Sequence, residues 1–132
     1  MAKLIGSVDH LGRPLVRLSD VGAQHVEILA LVDTGFNGGL MMGLKLAEDL
    51  GVELDEDSVR VELGNGAAAN VHQGLVGMIW LGRHRTAQVF ASESWVQGHP
   101  DAPVALLGTG LLRPHLLLVD FDAATVEIET LA

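Results

Sequence analysis

Ile28-Leu29-Ala30-Leu31-Val32-Asp33-Thr34-Gly35-Phe36 is an apolar run that breaks on an acid, a hydroxyl and a glycine. Val26–Val32 reads as a mostly buried strand, because continuous aliphatic residues suit a strand covered on both faces. The loop after it presents one carboxylate beside a tight backbone turn. The arrangement has an echo. Ala30-Leu31-Val32-Asp33-Thr34-Gly35-Phe36 is matched by Ala105-Leu106-Leu107-Gly108-Thr109-Gly110-Leu111. The two segments share Ala, Leu, Thr and Gly, and both end on a large apolar residue. They differ at the chemically decisive place, with Asp33 in one copy and Gly108 in the other. One half of the chain carries the acid; the other carries only the scaffold for it.

Outward from that run, the signals are short and of β type. Pro14-Leu15-Val16-Arg17-Leu18 reads as a strand. Val59-Arg60-Val61-Glu62-Leu63 alternates apolar and charged residues with period two. Gly64-Asn65-Gly66 follows as strong turn chemistry, since Gly and Asn tolerate positive φ, and residues 67–71 return as the second arm of a hairpin. Leu75 to Leu81 and Thr86 to Ala91 are strands around Gly82-Arg83-His84-Arg85. Leu116-Leu117-Leu118-Val119 and Thr125-Val126-Glu127-Ile128-Glu129 close the chain as strands. Helical spacing is confined to Leu44, Ala47 and Leu50, with Gly51 as the stop, and to a short turn at Gly110-Leu111-Leu112-Arg113 that Pro114 limits. Many short strands with turn signals point to an all-β domain, closed or sandwich-like, with one or two short helices. The repeated strand-Thr-Gly unit implies two related halves. Neither a linker nor a low-complexity tract divides residues 1–132, which read as one domain.

Composition narrows the function. The formal charge is −9 with only eight Lys and Arg, and these are scattered, which argues against a nucleic-acid partner. Hydrophobic residues make up 48%, so a folded core is expected; Tyr is absent and aromatics are 4%, so that core must be aliphatic. Cys is absent, which removes disulfides, thiolate metal sites and a Cys nucleophile. No run nears the roughly 18 apolar residues of a membrane span, and residues 1–9 lack the apolar stretch of a secretory signal. A soluble cytoplasmic protein is the default expectation, with no membrane partner.

Rival chemistries find little support. The six histidines, at 10, 25, 72, 84, 99 and 115, include no i, i+4 pair and no His-Glu-x-x-His, so no metal is expected. Asp55-Glu56-Asp57 lacks the spaced oxygen ligands of a calcium loop. Ser92-Glu93-Ser94 forms no nucleophile elbow. Gly64-Asn65-Gly66 lacks the Lys and following helix of a phosphate loop. Trp80 and Trp95 read as structural or groove-lining. No cofactor is implied. An Asp-Thr-Gly triplet alone arises by chance in roughly a few per cent of such chains; its buried strand, its downstream hairpin and its acid-free echo raise it well above that.

Taken together, Leu31-Val32-Asp33-Thr34-Gly35-Phe36-Asn37-Gly38, the hairpin Val61 to Gly66, Leu106-Leu107-Gly108-Thr109-Gly110-Leu111-Leu112 and the closing Val119-Asp120-Phe121 to Val126-Glu127-Ile128 resemble the retroviral-type aspartic proteases. The resemblance is closest to their small prokaryotic single-domain branch. It spans roughly residues 14–130, in the family's order. It implies an acid-protease-like closed barrel of one lobe with an internal pseudo-twofold repeat, working as a homodimer on a polypeptide substrate. Asp33 would be the catalytic acid, one from each protomer. Thr34 would hydrogen-bond across the dimer axis, and Gly35 would admit the substrate backbone. Gly108 would mark the second supporting loop. Gly64, Asn65 and Gly66 would form the tip of a flap, and Phe36 would lie at the cleft. The terminal segments would interleave with the partner's.

Elementary chemistry agrees with a dimer. Carboxylate-driven peptide hydrolysis needs two carboxyl groups, one charged and one protonated, and two such groups a few Å apart share a proton. One chain supplies one acid. Three positions depart from the family's pattern. Phe36 stands where a small residue is common, and its ring can narrow the cleft or pack beneath it. Thr109-Gly110 replaces a pair with a polar side chain, and Met41-Met42-Gly43 replaces a stretch that often holds Pro. Phe36 and Gly110 motivate an alternative: a catalytically weak or inactive member of the fold, serving as a peptide-binding or dimerisation module.

Overall fold

The computed structural model describes residues 2–62, 66–95, 98 and 101–130. Six strands close a barrel. In chain order they are β2 (Pro14–Val21), β3 (Val26–Val32), β4 (Leu40–Gly43), β7 (Ala68–Trp80), β8 (Arg83–Ser92) and β9 (Ala105–Leu107). They pair in the order β2-β3-β9-β4-β8-β7, and β7 returns to β2 through Ser19 opposite Ile79. Two shorter strands, β5 (Glu53–Leu54) and β6 (Val59–Glu62), each pair with β7. Helix α1 (Leu44–Asp49) follows β4 and buries Ala47; Gly51 ends it with a φ of +77°. Helix α2 (Thr109–Leu112) is a single turn that buries Leu111 and Leu112. Arg113 has already turned extended, as the residue before a proline must.

The core is aliphatic, as the composition demands. Leu18, Leu40, Met42, Met78, Leu107, Leu111 and Ile128 are among its fully buried large side chains, each contributing about 1.5–3 kcal/mol through burial. Strand alternation follows the reading of the sequence where one face is wet: Val126 and Ile128 point inward and Thr125, Glu127 and Glu129 outward.

Two expectations change in detail. Residues 75–80 and 86–91 are parts of longer strands, and the expected strand residue Leu81 instead joins Gly82 in the two-residue turn between them. Both of those residues have positive φ, the geometry of a two-residue hairpin whose twist matches its strands. The second change concerns the ends of the chain. β1 (Lys3–Val8) pairs antiparallel with β11 (Thr125–Glu129), which pairs with β10 (Leu116–Asp120). The terminal segments therefore pair with each other within one chain, and among the described residues β10 is an edge strand of that sheet.

Candidate active site

The echo in the sequence is a physical pairing. β3 and β9 lie parallel and in register, with Ala30 opposite Ala105, Leu31 opposite Leu106 and Val32 opposite Leu107. Equivalent residues of the two halves are partners, so the two Thr-Gly loops leave the barrel side by side. The Asp33 N–H donates to the Leu107 carbonyl at 2.9 Å, which carries the pairing up to the acid itself.

Asp33 is half-buried, and Thr34 and Gly35 are exposed. The Asp33 Oδ1 accepts the Gly35 N–H at 2.9 Å, and the Asp33 carbonyl accepts the Phe36 N–H at 3.2 Å. Such a local turn suits Asp, whose side chain reaches the N–H two residues on. It aims the carboxylate with its own loop. Among the described residues, neither a cation nor a second carboxylate contacts Asp33.

The second loop locks onto the first. Gly108 N–H donates to the Gly39 carbonyl at 2.9 Å, Thr109 N–H to the Phe36 carbonyl at 2.8 Å, and Gly110 N–H to the Gly38 carbonyl at 3.0 Å. The Thr109 hydroxyl adds a longer bond to the Phe36 carbonyl at 3.3 Å. This contact is too close for side chains. A Cβ on Gly108 would come within 2.3 Å of the Gly38 carbonyl oxygen and 2.5 Å of the Phe36 ring; one on Gly110 would come within 2.8 Å of the Gly38 backbone. The acid-free echo therefore has a steric cause. At Gly110 the helix start lies flat on the Gly38-Gly39 backbone.

The Phe36 ring is 5% exposed. It packs edge-on against Phe90, with centroids 5.6 Å apart at 72°, a favourable aromatic geometry. Met41 and Val71 complete this small core, with Val61, Ala69, Trp95 and Leu106 against it. Of the two positions open to this ring, it takes the one beneath the loop. The same cluster seats the β6–β7 hairpin, because Val61 and Ala69 are neighbours in its ladder. Gly64 and Asn65 lie outside the described residues; Gly66 is exposed, with a φ of +81°.

Behind the second loop, Arg85 donates to the Gly110 carbonyl at 3.3 Å. Nearby, Trp80 Nε1–H donates to His115 Nε2 at 3.2 Å. Burial first, and the Arg85 charge second, hold the His115 imidazole below its ordinary pKa. At the base of the hairpin, His72 meets the Asp55 carbonyl at 3.0 Å and the Glu93 carboxylate at 3.6 Å. Among the described residues, no three His, Asp or Glu side chains gather as metal ligands.

The site brings together Asp33, Thr34, Gly35 and Gly108 around one pair of strands, with Phe36 under them. The sequence did not single out the supporting Gly38 and Gly39. A Gly-Gly pair directly after the acid loop was the available signal, since adjacent glycines mark a place where backbone meets backbone.

No protein-family model and no curated relative matches the sequence. Solved structures do. A retropepsin-like aspartic protease from Rickettsia conorii superimposes with a TM-score of 0.63 over 96% of this chain and 98% of that one, at 18% identity. EIAV protease, complexed with the inhibitor HBY-793, superimposes with a TM-score of 0.55 over 76% of this chain and 86% of that one, at 17% identity. The chain has a retropepsin-like fold.

Proposed function

We propose that the chain is an aspartic endopeptidase that works as a homodimer on polypeptides. The observation that carries this reading is the pairing of an acid loop with a loop that has no room for an acid. Asp33 stands at the end of β3, and Gly108 opposite it cannot accept even a Cβ. A two-carboxylate mechanism in this fold thus draws its second Asp33 from a second copy. The retropepsin-like fold supports the same reading.

In that dimer, a water between the two Asp33 carboxyl groups attacks the scissile carbonyl. The charged carboxylate takes the water's proton. The protonated one polarises the carbonyl and then supplies a proton to the departing amine. The Gly35 N–H, bonded to Oδ1, fixes the orientation of each carboxylate. Thr34, exposed at the loop tip, bonds to its counterpart across the axis. The β6–β7 hairpin acts as the flap, adding backbone hydrogen bonds to an extended substrate and excluding water. Phe36 supports the base of that hairpin from the floor of the cleft. A cysteine-free chain fits the reducing cytoplasm.

A peptide-library digest across acidic to neutral pH, run with wild type and Asp33→Asn, tests the proposal. Cleavage by wild type and none by the variant is expected. Equal cleavage by both contradicts it.

A further inference from the structure

Three residues beyond Asp33, a cleft of about 290 Å³ opens between the Phe36-Asn37 segment, β6 and β8. That is below the usual range for a whole small-molecule ligand, and it suits a single long side chain. Its apolar wall is the Phe36–Phe90 pair together with Val61. Its polar lining is Asn37, Gln88 and Glu62.

The amides of Asn37 and Gln88 can each donate or accept, so the charge character of the cleft is set by Glu62. Gln88 Nε2 donates one N–H to Gln73 Oε1 at 3.1 Å, and its own Oε1 stays available as an acceptor. Glu62 is exposed at the end of β6 and, among the described residues, is the only charged group lining the cleft. Among the described residues it makes no ion pair. A carboxylate over an aromatic wall matches a side chain with an aliphatic stem and a cationic head. The stem packs along the apolar wall, and the head meets Glu62.

We infer that this cleft is a specificity subsite that selects a Lys or Arg side chain of the bound peptide, with Glu62 as its specificity-determining residue. The extended peptide as occupant rests on the peptidase reading. The charge preference rests on the cleft alone.

The test measures binding rather than turnover, using the full chain carrying Asp33→Asn. Fluorescence anisotropy is read with extended octapeptides that are identical except for one position, scanned along the peptide, which holds Arg, norleucine or Glu. At one position Arg should bind about tenfold tighter than norleucine, with Glu weakest. Adding Glu62→Gln should bring Arg and norleucine to near equality, and Glu62→Lys should favour Glu. The inference is overturned if no position prefers Arg, if the preference survives Glu62→Gln, or if no peptide binds. Failure of the peptidase reading looks different. In that case Arg peptides bind with the Glu62-dependent preference, while wild type cleaves none of them.

Discussion

Phe36 and Gly108 touch so closely that neither position tolerates more bulk: a Cβ on Gly108 would sit 2.5 Å from the Phe36 ring and 2.5 Å from its carbonyl oxygen. The Thr109 N–H holds that same carbonyl at 2.8 Å. The two loops therefore form one rigid joint, and Asp33 projects from it.

Gly108→Ala should then be costly although the substitution is small. Most of the atoms it would strike are backbone, which cannot swing aside. A loss near the upper end of the ordinary overpacking range, about 3 kcal/mol, is expected in urea denaturation. Gly108→Asp should cost more and should not create a self-sufficient one-chain site.

Phe36→Ala should leave a cavity between Phe90, Met41 and Val71. Replacing a buried Phe by Ala typically costs about 3–5 kcal/mol. A midpoint shift of that size in chemical denaturation is the expected outcome. Phe36→Leu should recover much of it.

His115 gives stability a pH dependence of known sign. Burial and Arg85 lower its pKa in the folded chain. As pH falls below the ordinary value of 6.5, the unfolded chain takes up a proton before the folded chain does. Stability therefore drains away on acidification through that window. Protonation would also end the acceptance from Trp80 Nε1. Melting temperatures between about pH 7 and pH 5 should fall less steeply for His115→Phe than for wild type.

Thr34→Val tests the dimer axis. Thr34 is exposed in the single chain, so its loss should leave the melting of the isolated protomer nearly unchanged. If its hydroxyl bonds across the axis, one net hydrogen bond per pair weakens association by about fivefold. Sedimentation equilibrium over a concentration series reads this directly.

Much of the site could be read from residues alone because its two halves carry the same words. Ala-Leu-aliphatic before Thr-Gly occurs twice, and those residues lie opposite each other in the folded chain. The alternating strands were legible too, since a half-wet face writes its period into the sequence. β4 and β9 were not. Leu40, Met41 and Met42 are all buried, so no alternation marks them as a strand. β7 reads as two pieces, residues 67–71 and 75–81, because Gly74 falls in the gap between them. At Gly74 the reason is a neighbour, since a Cβ there would meet the Glu53 carbonyl at 2.5 Å. The burial of Phe36 depends on Phe90 and Val71, far along the chain, and the Trp80–His115 bond joins residues on separate elements. Contacts of that kind have no local signature.

The central claim is that one site needs an Asp33 from each of two chains. The most direct measurement mixes wild type with Asp33→Asn at constant total protein, allows subunits to exchange, and follows peptide cleavage. Hybrid dimers hold a single carboxylate pair partner and should be inactive. An equal mixture should then retain about one quarter of the all-wild-type rate, falling with the square of the wild-type fraction. A rate that falls in simple proportion to that fraction would mean each chain cleaves on its own and would contradict the account.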